Sequence, residues 1–537
     1  MSERQRANHQ LSAANGNLAA LAAAVLQPGF VGTAPPGWIR RWLGDGLGSV
    51  VLFSRNVVDS EQVAALTATL RAERPDVIVA IDEEAGDVTR IESGRGSSRP
   101  GNLALGAVDD PALTEEVARD LGVELAAVGV TLNYAPDADV NSNPDNPVIG
   151  VRAFGAEPSL VARHTTAWVR GLQSGGVAAC AKHFPGHGDT RVDSHHDLPR
   201  ITADRARLHA VELAPFRAAV AAGVQAVMTG HLLVPALDPD LPATLSGRIL
   251  GGLLREEMGF NGVVVTDAVE MRAVTDRYGF AGAAVRALAA GADAICVGGE
   301  HADEETARYL RDAIVDAVVA GDLPEERLTE AAKRVGQLAA WTVAVRAGAG
   351  ADCATAGGAT LRGVTTGAAG GTSTGGASSG AAGSTVGLAA ARRAIRVTSA
   401  GGDAALPLVG PAHVVEFEPP HNIAIGAETP WGLAAPLAAL VPGTTGARYI
   451  EAAVPTDPTA GAAGRPVVLV VRDLHRHGWM RAAVDRALAA RPDAVVVELG
   501  VPALVTGRVH VATHGATRAA GRAAAELLAG APVTPGW

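Results

Sequence analysis

The chain is poor in cysteine, aromatic residues and charge, and each scarcity narrows what it can be. Three cysteines in 537 residues, Cys180, Cys296 and Cys353, are far apart and odd in number. They spell neither a disulfide framework nor a zinc spacing, which suits a reducing cytoplasm. The net charge of −11 and the lack of any basic run exclude the concentrated positive field that nucleic acid requires. An uncharged or mildly anionic small molecule, or a sugar, fits that balance better. No stretch is apolar enough for a membrane span. The apolar run 18–26 continues into Gln27-Pro28-Gly29 without a small-residue cleavage site, so it reads as a first helix, not a signal peptide.

What remains is a well-buried globular chain, 48% hydrophobic and 19% charged, long enough for two or three domains. Residues 346–385 are almost wholly Gly, Ala, Ser and Thr. Such a segment cannot bury enough side chain to offset its ordering entropy, so it reads as a linker. It separates residues 1–345 from 386–537. In the first part, short β-branched runs at 49–54, 76–82, 129–134, 177–182, 224–229, 262–267 and 292–298 alternate with helical stretches. Near-continuously apolar strands between helices imply a parallel sheet covered by helices. Seven of them favour an α/β fold of the (β/α)8-like TIM-barrel kind over an open sheet, with no run for an eighth. Asn56, Asp82, Asp137, His183, His231 and Asp267 all fall at or just past a strand's C-terminal end, where such a barrel carries its active site. Strand-like runs at 468–473 and 493–499, with helices at 480–490 and 517–528, make the second part a smaller α/β sandwich.

The densest polar stretch is 182–197, KHFPGHGDTRVDSHHD. It follows a strand and contains Pro and two Gly, so it is a loop. Three readings compete. It is a solvated surface loop, or a metal site using His183, His187, Asp189 and Asp193, or proton-transfer machinery. Pro185-Gly186 breaks the helix that an i, i+4 histidine pair needs for a metal. In Asp193-Ser194-His195 a carboxylate two residues from an imidazole can fix its tautomer and raise its basicity. Asp267 ends an apolar run and opens a loop. It suits a nucleophile at a barrel's mouth, or an N-cap for the next helix. Asn56, Asp137 and Asp139 read as structural loop residues rather than ligands.

Taken together these residues resemble family 3 glycoside hydrolases, and within them the bacterial β-N-acetylglucosaminidases. Residues 182–199 look like that subgroup's acid/base loop and 262–271, GVVVTDAVEM, like its nucleophile segment. The resemblance implies Asp267 as nucleophile and Asp193 with His195 as acid/base. Segment 133–155 is similar to the sugar-binding loop, implying that Arg152 contacts the sugar. Segment 81–90, IDEEAGDVTR, resembles the Asp-x-Glu-Gly-Gly segment, implying Asp82 and, less directly, Arg90 as sugar contacts. Lys182 and His183 carry over as hydroxyl ligands and His231 as another wall. Ala85 stands for a usual Gly, and Asp87 where many members have Arg.

The implied reaction is removal of terminal β-GlcNAc by double displacement, on peptidoglycan-derived or related oligosaccharides, with no cofactor and no metal. The expected partner is a small carbohydrate; oligomeric state has no signature. With aromatics at 4%, sugar binding must rest on hydrogen bonds from Asp82, Arg152, Lys182 and His183 rather than on stacking. Because a neutral imidazole does not repel phosphate as a carboxylate base would, phosphorolysis to a sugar 1-phosphate is an alternative. An inert sugar-binding protein on the same barrel is another.

Overall fold

The strands predicted at 49–54 through 292–298 are all present, and they frame the N-terminal part of the molecule. The computed structural model describes residues 16–190, 198–357, 384–400, 406–420, 422, 424–426 and 428–531. Strands β1 (Leu26–Pro28), β2 (Ser49–Leu52), β3 (Ile78–Ile81), β4 (Leu132–Asn133), β5 (Ala178–Phe184), β6 (Ala226–Thr229), β7 (Val263–Thr266) and β8 (Ile295–Val297) alternate with helices. β2 to β7 form a six-stranded sheet in sequence order, and β1 pairs with β8; all these ladders are parallel. A single bridge, Val265 to Ala294, links β7 to the approach of β8. On the other side Ser49 Oγ donates to Leu26 O at 3.1 Å. The sequence offered no eighth strand because β1 is only 3 residues long and ends in proline.

Strand alternation sorts the core into two layers. Val77, Val79 and Ile81 face the helices, while Ile78 and Ala80 face the opposite way, as a period of two dictates. There they meet Val51, Leu132, Ala178, Ala226, Val263 and Cys296, so the other face of β2 to β8 converges on one cluster. Val335, Leu338 and Ala339, from the helix Glu325–Gly357, join it. That helix continues past residue 345 to Gly357, into the segment expected as linker; residues 358–383 lie outside the described residues.

The C-terminal sheet domain has β9 (Arg396–Ser399), β10 (His413–Phe417), β11 (Thr445–Tyr449), β12 (Val467–Val471), β13 (Val495–Glu498) and β14 (Val509–Ala512). They form one sheet in the order β11-β10-β12-β13-β14-β9, parallel except for the antiparallel edge β9. Its two faces are covered by separate apolar clusters. Among the described residues no helix is long and apolar enough to cross a membrane.

Two helices behind β4 and β5, Pro111–Ala127 and Pro158–Ser174, approach so closely that glycine is required. A Cβ at Gly171 would stand 2.2 Å from Glu115 O, whereas one at Gly336 would meet nothing within 4 Å. Both are helical, so alanine gains intrinsic propensity at each, about 1 kcal/mol. At Gly171 the backbone clash overrides that gain. Gly171→Ala is expected to lower unfolding stability by about 1–3 kcal/mol and Gly336→Ala to raise it by up to about 1 kcal/mol, read by urea denaturation.

Candidate functional site

A cavity of about 540 Å³ opens beside the C-terminal ends of the parallel strands. Asp82 follows β3, Lys182 and His183 lie in β5, and Asp267 follows β7; with Arg90, Arg152 and Glu270 they line the cavity. Apolar strand residues hold the polar ones at the rim, because each strand's last buried residue fixes where the next side chain emerges.

A chain of ion pairs ties these side chains together. Arg152 grips Glu84 with two parallel bonds, Nε to Oε2 at 2.9 Å and Nη2 to Oε1 at 2.7 Å. Lys182 Nζ stands 2.6 Å from Glu84 Oε1 and bonds Asp82 Oδ1 as well. Arg90 Nη2 donates to Asp82 Oδ2 at 3.3 Å. Burial alone would raise the Glu84 carboxyl, but Arg152 and Lys182 overcome it and hold Glu84 well below the usual carboxylate range. Burial likewise opposes the charges of Lys182 and Arg152, and their carboxylate partners reverse it, so both cations are held more firmly than in water. Every member is paired, which makes a rigid, pre-set hydrogen-bonding surface.

His183 is held from behind. Its Nδ1 donates to Asp139 Oδ2 at 2.7 Å, leaving Nε2, 3.4 Å from Arg152 Nη2, as the acceptor nitrogen. Asp139 Oδ1 also accepts the His187 N–H at 2.6 Å. Asp139 therefore acts as expected of a structural loop residue, and so does Asn56, whose Nδ2 donates to Phe30 O and Gly32 O. Burial, aided by Arg152, lowers His183 to about 4; burial, aided by His183, lowers His187 to about 4. Both imidazoles are neutral at pH 7. Asp137, Asp139 and His183 are clustered tightly enough to hold a metal ion. Arg152 already puts a cation there, its Nε 3.8 Å from Asp137 Oδ2, so the donor set fits a metal poorly.

Asp267 is anchored through its backbone, N–H to Thr229 O at 3.0 Å, and its Oδ1 accepts the Ala268 N–H at 2.8 Å. Glu270 carries the next loop: its Oε1 accepts from Gly298, Gly299 and Glu300 N–H groups. His231, expected as a wall, is not among the lining residues. It is buried behind the segment after Asp267, with Nε2 3.0 Å from Ala268 O and Nδ1 2.9 Å from Thr244 Oγ1. Asp193 and His195 lie outside the described residues.

Sequence reasoning passed over Glu84 and Glu270 and named His187 only as a candidate metal ligand; all three are at this site. The signal for Glu84 was available: continuing the β3 alternation past Ile81 puts Asp82 and Glu84 on one side and Glu83 on the other. Glu83 indeed turns away, its Oε2 accepting from Arg90 N, Ile91 N and Thr89 Oγ1. The two departures in this segment also find their places. Ala85 has φ of 58°, a conformation that glycine adopts at less cost. Asp87 is not in the cavity lining; it pairs with Arg472 of the C-terminal domain at 2.6 Å.

The family model described as glycosyl hydrolase family 3 N terminal domain matches residues 36–338. Beta-hexosaminidase A of Pseudoalteromonas piscicida is 35% identical over 316 residues, which are 54% of this chain and 53% of that protein. The chain thus spans about half the length of that relative. A beta-hexosaminidase of Alkalilimnicola ehrlichii is 39% identical over 255 residues, 46% of this chain and 73% of the relative. The solved structure of a glycoside hydrolase family 3 beta-N-acetylglucosaminidase from Paenibacillus sp. str. FPU-7 is similar over 95% of this chain and 96% of its own, with a TM-score of 0.80 and 35% identity.

The buried histidines give the fold a pH dependence. Free imidazole titrates near 6.5, while His187 in place titrates near 4. Between those values the unfolded chain binds more protons than the folded one, so stability falls as pH drops through that window. Replacing His187 by Asn is expected to flatten the fall by up to about 1.4 kcal/mol per pH unit, measured by urea denaturation between pH 6.5 and 4.5. An unchanged slope would contradict the assignment.

Proposed function

Because the chain belongs to glycosyl hydrolase family 3, we propose that it is a retaining β-N-acetylglucosaminidase with Asp267 as nucleophile and Asp193 with His195 as acid/base. The observation that carries this reading is a carboxylate, Asp267, sharing one cavity with the interlocked donors and acceptors Asp82, Arg90, Arg152, Lys182 and His183. A terminal sugar presents hydroxyls that need such partners, and its anomeric carbon needs a carboxylate below it. The similar Paenibacillus structure is a beta-N-acetylglucosaminidase, which favours an acetamido sugar. In the same reading β1 and β8 close the parallel sheet into a (β/α)8 barrel. Support comes from Tyr134 Oη donating across to Gln27 Oε1 at 2.6 Å and from the Ser49–Leu26 and Val265–Ala294 contacts.

In the double displacement, Asp267 attacks C1 while His195, oriented by Asp193, protonates the departing oxygen. His195 then takes a proton from water, which releases the sugar with retained configuration. Positive charge develops at C1 in both steps, and the nearby carboxylate stabilises it before the bond forms. Lys182 and Arg152 oppose that charge little, because Asp82 and Glu84 neutralise them at contact distance. Peptidoglycan-derived oligosaccharides in a cytoplasmic recycling route are the substrates this reading favours.

The test is hydrolysis of an aryl β-N-acetylglucosaminide beside the matching β-glucoside, by wild type and by Asp267→Ala. Turnover of the acetamido sugar alone is expected, and the substitution should lower kcat by at least about a thousandfold. Free sugar as product at saturating phosphate separates hydrolysis from phosphorolysis. A folded wild type that turns over neither glycoside would favour an inert binder.

A further inference from the structure

The segment that leaves β3 belongs half to the barrel and half to the C-terminal domain. Its root is fixed within the barrel: Glu83 N donates to Asn133 Oδ1 at 3.0 Å, and Glu83 Oε2 accepts the Arg90 N–H at 2.7 Å. Its head is not. The Arg90 guanidinium, through Nη2, touches Asp82 on one side and donates to Ala424 O at 3.0 Å on the other. Ala424 comes from the loop after β10 and itself lines the catalytic cavity. That loop is pinned to the barrel by Asn422 Nδ2, 3.2 Å from both Pro147 O and Val148 O.

Asp87 sits in the turn closed by the Ala85–Val88 bridge, three residues before Arg90, and its side-chain bonds run to the other domain. Oδ2 accepts from Arg472 Nη2 at 2.6 Å and Oδ1 from Ala516 N at 2.8 Å. The side chain is 2% exposed, so removing its partners strands a carboxylate away from water. Arg472 follows β12 and Ala516 follows β14, the two strands that flank β13 in the C-terminal sheet. The turn that presents Asp82 and Arg90 is therefore clamped between the barrel and a second rigid element.

We propose that Asp87, clamped by Arg472 of the C-terminal domain, is a positioning residue that holds Arg90 against Asp82. Among the described residues the domain does this with backbone and a buried ion pair. The inference rests on the reading of Asp82 and Arg90 as sugar contacts. It predicts that loss of the clamp weakens sugar binding before it slows chemistry, because Asp267 follows β7 and is untouched.

The experiment uses the full chain with Asp87→Ala, Asp87→Asn and, as a control, Arg393→Ala. The control breaks the exposed interdomain pair of Arg393 with Asp110, far along the chain from the Asp87 turn. Steady-state kinetics use 4-nitrophenyl β-N-acetylglucosaminide, and binding of free N-acetylglucosamine is followed by calorimetry. Asp87→Ala should raise KM and the sugar's Kd about tenfold while kcat stays within about threefold. Asp87→Asn keeps one acceptor oxygen, for Ala516 N–H or for Arg472 but not for both, and should recover part of that loss; it carries the test if the alanine variant does not fold, with an expected rise of about threefold. Arg393→Ala should match wild type. Wild-type KM and Kd in folded Asp87→Ala, or an equal rise in Arg393→Ala, would overturn the positioning role alone. A wild type that neither binds nor cleaves the acetamido sugar would overturn the reading of the site, and this inference with it.

Discussion

The bidentate pair of Arg152 with Glu84, extended through Lys182 to Asp82, is the constraint on which the site depends. Each ion alone would cost several kcal/mol to bury, and removing one from a finished network leaves its partner stranded, at about 3–5 kcal/mol. The residues come from three different connections: Glu84 after β3, Arg152 after β4 and Lys182 within β5. The network can therefore form only when those strands are in register, and once formed it fixes the loops above them. Asp139 extends the same logic one layer out, where it orients His183 and accepts the His187 N–H.

Much of this was legible in the sequence, for identifiable reasons. Strands β2 to β8 are short, mainly apolar runs bounded by turn residues, and their few polar residues sit at or near their ends. The residue that ends such a run faces the cavity by geometry, which is why Asp82, His183 and Asp267 could be named in advance, whereas Lys182 came from the family resemblance. The strands that escaped notice break that pattern. β9 is exposed at every position and β11 is largely so, as an edge strand allows. β10 carries His413 and Glu416, both buried, and Glu416 is compensated by Arg448 and by the Leu433 and Ala434 N–H groups. A buried charge with a partner some 30 residues away leaves no local pattern to read. His231 has the position of a lining residue past β6, and its ring bonds Thr244 Oγ1 and Ala268 O.

The Asp87 departure shows how far a local comparison can mislead. Read along the segment, an acid where others carry Arg suggests an altered sugar contact. In three dimensions the side chain leaves the cavity and meets Arg472, more than 380 residues on. The substitution belongs to the join between domains, and only the fold places the two halves of that pair together. Glu92 with Arg518 at 2.8 Å and Ser97 O with Ala519 N at 3.2 Å continue the same seam.

For the proposed reaction, this arrangement resolves a conflict between binding and catalysis. Sugar hydroxyls are best held by charged donors, yet a transition state that gains positive charge is destabilised by unpaired cations nearby. Neutral imidazoles at His183 and His187 avoid adding to that charge, and Lys182 and Arg152 bring their counter-ions with them. The donors remain strong at hydrogen-bond range, where geometry matters most, while their fields largely cancel at the anomeric carbon. The Asp267 carboxylate is then the charge that the developing cation meets most directly. A substitution that removes Glu84 while keeping both cations would impair this balance as well as the fold, because it would leave positive charge where the reaction needs none.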